Sequence, residues 1–344
     1  MNREGAKPRI LSGVQPTGSL HLGNYLGALS LWAETLDSYD CFFCVVDLHA
    51  LTIPEAVDPK TLAEKSRQVA ALYVASGIDP EKATIFIQSD VAAHSELMWL
   101  LNCVTPLGWL YRMTQFKAKS DQVKSVGSGL LTYPVLQAAD ILIYDTDVVP
   151  VGEDQKQHVE LARDVAQRFN HLFGEGALKV PEVRIREAGA RIMGFDDPEQ
   201  KMSKSQGEIS KGHAVGLLDP PDDVRRTIMR AVTDPGNEVR FEHASPGVKN
   251  LLTIYQVLTR RPRAEIEEHF AGQGYGFLKR EVADRVVAEL EPLQARYHEL
   301  TDDPAYLDDL LDRGAERARE VADRVVARCQ ERIGLRGQHH RHLR

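Results

Sequence analysis

The 344-residue sequence predicts an α/β fold, a parallel sheet followed by an all-helical C-terminal domain, on two observations. Up to about residue 210, strand-length apolar runs alternate with segments of helical period; past residue 219 only the helical period remains. Strands and helices in alternation argue for a parallel sheet covered on both faces, because a parallel crossover needs a helix to bring the chain back.

The apolar runs, in order, are "RILSGV" (9–14), "CFFCVVD" (41–47), "TIFIQ" (84–88) and "DVVPV" (147–151). Between the second and third, "DPKTLAEKSRQVAALYVASGI" has a proline-containing start and spaces Leu62, Val69, Leu72 and Tyr73 along one helical face, which predicts the crossover helix. Cys41 and Cys44 stand three apart on a strand and point to opposite faces, so they read as core and not as a metal pair. With Cys103 and Cys329 they are too few and too scattered for a disulfide framework, which fits a reducing, cytoplasmic setting.

In the second half, "PPDDVRRTIMRAV", "GVKNLLTIYQVL", "RAEIEEHF" and "KREVADRVVAELEPLQARYHEL" all carry helical period. A final segment places Leu307, Leu311, Ala315, Ala318, Ala322, Val325, Cys329 and Ile333 three or four apart, a stripe that has to pack on something. The expected division is an α/β domain over 1–210, a helical domain over 211–300, a helix over 301–334 that packs back on the first domain, and a polar disordered tail over 335–344.

The net charge of -8 argues against a general nucleic-acid binder. Arg225, Arg226, Arg230 and "RRPR" at 260–263 could meet phosphates, although solvated helix faces account for most such clusters. No apolar run reaches the roughly 18 residues of a membrane helix, and no metal-ligand spacing stands out.

The stretch "GVQPTGSLHLGNYLGAL" (13–29) reads as a strand end, a glycine-bearing loop and a helix that starts near Leu22 to Asn24. Such a turn lets backbone amides approach phosphates where the helix dipole favours negative charge, a Rossmann-like nucleotide-binding arrangement. The spacing is neither GxGxxG nor GxxxxGK[ST], which sets aside dinucleotide and P-loop sites. Further on, "KMSKS" (201–205) puts two lysines three apart in a polar loop, where they can bring compact positive charge to a polyphosphate.

Together, "HLGN" at 21–24 and "KMSKS" resemble the paired HIGH and KMSKS signatures of class I aminoacyl-tRNA synthetases. Longer blocks, among them "VDLHALT", "RMTQFKAKS", "GLLTYPVLQAADIL" and "VPVGEDQKQHVELARDVAQRFN", resemble bacterial-type tryptophanyl-tRNA synthetase, with weaker similarity from residue 9 to about 334.

The resemblance implies a tryptophan-tRNA ligase that uses ATP and Mg²⁺, forms tryptophanyl-adenylate and passes the amino acid to tRNA(Trp), as a homodimer. It implies that 1–210 holds ATP and tryptophan and that 211–300 reads the anticodon. For the tryptophan pocket it implies Asp140 as indole N–H acceptor, Tyr133 and Gln155 on the ammonium group, Gln15 on the carboxylate side, and His49, Val149, Val151 and Gln137 around the ligand. For ATP it implies Gln15, Gly23, Asn24, Gly152, Asp154 at the ribose, Ile192, Lys201, Met202, Ser203, Lys204 and Ser205. Lys201, Lys204, Lys119, His21 and Asn24 would carry the catalytic charge stabilisation. Two positions depart from the pattern: the first signature ends in Asn24 instead of histidine, and Gln137 stands where methionine is frequent. A tyrosine-tRNA ligase, a nucleotidyltransferase of similar fold and a non-catalytic paralogue are the alternatives.

Overall fold

A computed structural model describes residues 7–120, 126–150, 155–184, 191–203 and 212–336. Among them are five strands: β1 (Arg9–Val14), β2 (Asp40–Val45), β3 (Ala83–Ile87), β4 (Val148–Pro150) and β5 (Glu182–Arg184). They form one parallel sheet in the order β3-β2-β1-β4-β5.

The first four strands fall on the four apolar runs. β2 stops at Val45 because Asp47–Ala50 coils into a helical turn, with Asp47 accepting the Ser89 N–H at 3.0 Å. β3 stops at Ile87 because Gln88–Asp90 forms a 3-10 turn. The fifth strand carries no apolar run, since its three residues begin and end on charged side chains. Cys41 joins the core on one face of the sheet and Cys44 the core on the other.

The helix after β1, α1, is composite: an α-turn at Leu22–Asn24, a π segment at Tyr25–Leu29 and an α-turn at Ser30–Ala33. α2 (Leu62–Ala75) connects β2 to β3. α3 (Ala93–Val104), α4 (Thr114–Ser120), α5 (Ser128–Leu142) and α6 (Lys156–Phe173) follow. The described second half is helical: α7 (Pro221–Met229), α8 (Pro246–Thr259), α9 (Arg263–His269), α10 (Tyr275–Asp302) and α11 (Pro304–Ile333).

Two buried clusters lie on the two faces of the sheet. One joins Phe43, Ile85, Trp32 and Tyr73 to Ile192, Met202 and the inner faces of α7, α8 and α10, so the helical half shares a core with the sheet. The other joins Phe42, Phe86 and the inner faces of α3, α5 and α6. α11 contributes to both: Leu307, Leu310 and Leu311 to the first, Ala315 through Cys329 to the second. It passes from one face to the other beside β3, the outer strand, and Gly314 sits at the crossing. A Cβ there would lie well inside van der Waals distance of the Ile85 carbonyl oxygen, so only glycine lets the helix come so close. Arg67 with Asp308, Arg317 with Asp40, and Arg328 with Asp145 tie the same helix along the domain.

Candidate active site

In this strand order the connections reverse direction between β1 and β4, and open α/β sheets take their ligands outside the strands' C-terminal ends at such a switch point. The end of β1 is shaped for that. Gly13 has no Cβ because one would collide with the Cys44 carbonyl oxygen. The buried Tyr73 hydroxyl accepts the Val14 N–H at 2.8 Å and donates to the Cys44 carbonyl at 3.1 Å, tying the ends of β1 and β2 together below Gln15.

The two short motifs meet beside this end. Leu22 N–H donates to the Val215 carbonyl at 2.8 Å and Leu217 N–H to the Leu20 carbonyl at 3.0 Å, so residues 215–217 hold the "HLGN" turn like an added strand. Asn24 reaches back, its Oδ1 accepting the His21 N–H at 3.0 Å, which gives this departure from the signature a capping role at the start of α1. A Cβ on Gly23 would stand 3.4 Å from the Met202 Cβ, so Gly23 brings the first motif against the second.

The base of the lysine loop is a short ribbon. Met193 bridges Lys201, Met202 N–H donates to the Ile192 carbonyl at 3.0 Å, and Gly194 N–H to the Gln200 carbonyl at 2.9 Å. Ile192 and Met202 are buried, Ser203 is half-buried and Lys201 is exposed. Two side chains hold the ribbon from outside. Asn250 of α8, itself buried, accepts the Met193 N–H at 2.9 Å and donates to the Met193 carbonyl at 2.9 Å, which is the pairing a neighbouring strand would make. His213 lies 2.6 Å from Asp196 and 3.4 Å from the Lys201 carbonyl.

A second group centres on Asp140. Tyr133, Gln137 and Asp140 recur at i, i+4 and i+7 on α5, so they share one face. The Asp140 carboxylate is buried and receives three donors: Gln88 Nε2 at 2.7 Å and His94 Nδ1 at 2.7 Å on Oδ1, and His49 Nε2 at 2.8 Å on Oδ2. Burial alone would raise its pKa; the two histidines outweigh burial and hold it well below the usual carboxylate range, so it is ionised and accepts from both rings. The His49 and Tyr133 rings meet edge to face at 6.2 Å. The Tyr133 hydroxyl, pushed up to about 12 by burial, lies 3.0 Å from His158 Nε2. Gln137 Nε2 donates to Gln155 Oε1 at 3.3 Å, and Val149 packs in the core on the α5 side of the sheet.

The structure thus brings His21, Gly23, Asn24, Ile192, Lys201, Met202 and Ser203 into one group, and His49, Tyr133, Gln137, Asp140 and Gln155 into another. Val151, Gly152, Asp154, Lys204, Ser205, the Lys119 side chain and residues 337–344 of the tail lie outside the described residues. Gln88, His94, His213 and Asn250 were not singled out by sequence. A buried histidine on an apolar helix or an asparagine in "KNLL" carries no local signal; only the carbonyls and carboxylates they meet in three dimensions reveal them.

A family model described as tRNA synthetases class I (W and Y) matches residues 3–291, so fold and site define a class I aminoacyl-tRNA synthetase. A tryptophan–tRNA ligase of Thermosynechococcus vestitus is 52% identical over 332 residues, covering 95% of this chain and 99% of its own. Solved tryptophanyl-tRNA synthetases from Mycoplasma pneumoniae and from Campylobacter jejuni, the latter with ADP and tryptophan, superpose with TM-scores of 0.87 and 0.81. Each is 35% identical; they cover 96% and 95% of this chain and 98% and 100% of their own. The chain belongs to the tryptophanyl-tRNA synthetase family.

Proposed function

We infer that the protein activates L-tryptophan with ATP and transfers it to tRNA(Trp) as a tryptophan-tRNA ligase. The observation that carries this reading is the meeting of the "HLGN" turn and the lysine-loop base beside the C-terminal end of β1, with an ionised buried carboxylate on the neighbouring helix.

In the first step the tryptophan carboxylate attacks the ATP α-phosphorus in line and pyrophosphate leaves. Lys201, Lys204 and Lys119 stabilise the departing charge, and His21 with the side-chain NH₂ of Asn24 meets phosphate oxygens. Positioning and electrostatics suffice, so no covalent enzyme intermediate is needed. Gly23, Ile192 and Met202 form the adenine wall, Ser203 and Ser205 flank the phosphates, and Gly152 and Asp154 take the ribose. In the pocket Asp140 Oδ2 accepts the indole N–H, Tyr133, Gln155 and Gln15 hold the ammonium and carboxylate, and His49, Gln137, Val149 and Val151 pack the ring. A buried site that must satisfy one polar hydrogen of its substrate rejects side chains lacking it by a factor on the order of 10⁴–10⁵, so no editing domain is called for.

In the second step the 2′-OH of the terminal adenosine of the tRNA attacks the adenylate and AMP leaves. We assign catalysis to 1–210, anticodon reading to the helices of 211–300, and support of the first domain to 301–334. Mg²⁺ would arrive on the phosphates of ATP, as part of the substrate. Exposed Trp99, Leu107 and Tyr111, close in sequence on and after α3, support a homodimer through that surface. No described helix is long and apolar enough to cross a membrane. With cysteines that form no disulfide, the tRNA substrate supports a cytoplasmic location.

Amino-acid-dependent ATP–pyrophosphate exchange, run with each of the twenty amino acids, tests the reading. Exchange with tryptophan alone is expected; exchange driven by tyrosine, or by none, overturns it.

A further inference from the structure

Behind Asp140 lies a chain of polar groups that none of the assigned ligand contacts needs. Tyr144, fully buried, has its hydroxyl 2.7 Å from His94 Nε2, and His94, also fully buried, has Nδ1 2.7 Å from Asp140 Oδ1. Because Asp140 is ionised it can only accept, so His94 donates to it from Nδ1; in the neutral ring Nε2 then accepts from the tyrosine hydroxyl. Gln88 is fixed the same way: its Oε1 accepts the Leu48 N–H at 3.1 Å, which turns its NH₂ toward Asp140 Oδ1. Leu48 adjoins His49, so one helical turn orients donors to both oxygens.

A carboxylate offers about four lone-pair sites. Gln88 and His94 fill the two on Oδ1, and His49 fills one of the two on Oδ2. His94, the ring on Oδ1, is packed against Phe86 and Tyr144, whereas His49, the ring on Oδ2, meets Tyr133 edge to face.

We propose that Gln88, His94 and Tyr144 are specificity-setting positioning residues, which occupy Oδ1 and leave Asp140 one acceptor site, on Oδ2, for a single ring N–H donor. The inference rests on Asp140 being the indole acceptor. With Oδ1 satisfied the carboxylate cannot rotate or relax onto another partner, so a ligand ring without an N–H leaves a buried charge one donor short, and the site rejects it. Freed of His94, the carboxylate could turn and satisfy itself within the protein, and the absence of a ring donor would matter less.

The test compares tryptophan with β-(benzothiophen-3-yl)alanine, which replaces the N–H by sulfur, in pyrophosphate exchange. The unaltered protein should favour tryptophan in kcat/KM by at least about a hundredfold. His94→Leu should cut that ratio by about tenfold or more, with the KM for ATP within about twofold. His94→Gln, whose amide can donate to Asp140 and accept from Tyr144, should restore it. Tyr144→Phe, which removes one oxygen and no packing, should lower the ratio in the same direction and covers the case in which His94→Leu does not fold. If tryptophan and the analogue weaken equally in both the leucine and phenylalanine variants, the relay only supports the fold and the proposal fails. Asp140→Ala separates the two levels: an unchanged ratio there refutes the indole-acceptor reading itself, whereas a collapsed ratio with unaltered His94→Leu and Tyr144→Phe refutes only the relay.

Discussion

Replacing Asn250 with alanine should impair ATP use while sparing tryptophan binding. Asn250 stands on α8 in the helical half, yet its side chain makes two 2.9 Å hydrogen bonds to the backbone of Met193, the residue that bridges Lys201. Truncation strands one N–H and one C=O. Each buried orphan costs about 1–3 kcal/mol, and because Met193 is only half-buried the lower end applies, about 2 kcal/mol for the pair. If all of that loss falls on the loop base, kcat/KM for ATP drops by up to about thirtyfold. Asn250→Asp keeps the bond from the Met193 N–H but sets a carboxylate oxygen against the carbonyl, so it should be at least as harmful. The assay is pyrophosphate exchange with ATP varied, alongside equilibrium dialysis of tryptophan and urea unfolding. A stability loss near the stated size with ATP parameters unchanged would refute the claim that this amide sets the loop base. Equal losses for ATP and tryptophan would refute it too, by showing a general loosening.

Further outcomes follow from other contacts. Gly314→Ala should lower stability by about 1–3 kcal/mol despite alanine's better helix propensity, because α11 must retreat from β3; urea midpoints would read this, and a stabilised variant would contradict the close approach. Asp140 has a folded pKa below its unfolded value of about 3.9, so its stabilisation is complete above that pH and is lost as the pH falls toward the folded pKa. The stability gap between the unaltered protein and Asp140→Asn should therefore be constant from pH 7 to about 5 and shrink below about 4, and a gap that shrinks between pH 7 and 5 would count against an ionised Asp140. Lys204→Ala should lower the kcat of exchange more than it raises the KM for tryptophan, since its charge matters most as pyrophosphate departs; the reverse pattern would move the lysine's role to amino-acid binding.

The strands were legible where burial on both faces writes a long apolar run, as in "CFFCVV", and illegible at Glu182–Arg184, where three residues pair at the sheet's far edge with charges at both ends. The site divides in the same way. "HLGN", "KMSKS" and the lone acid in "QAADIL" are chemically conspicuous in one dimension. The π segment in α1, the Asn250 grip and the Tyr144–His94–Asp140 relay are not: a π segment has no residue signature, and the partners of the other two lie some 50 residues away as backbone atoms or rings. Gln137 departs from the family pattern as a residue type, and its 3.3 Å bond to Gln155 became visible only once α5 and the start of α6 were placed side by side.

The passage of α11 from one face of the sheet to the other beside β3 bears on how the protein is made. Synthesis runs from the N-terminus at about 5–20 residues per second, so the roughly 240 residues from Ile87 to Cys329 take about 12–50 s to appear. For that interval the nascent sheet has its outer strand bare, a ready template for pairing with another chain, and one of its two cores lacks the alanine and valine face that completes it. A message cut short before α11 would yield a polypeptide holding nearly every candidate ligand contact but unable to seal the layer that positions them. Ribosome-arrested chains of graded length, probed by limited proteolysis, would locate the point at which the sheet becomes protected.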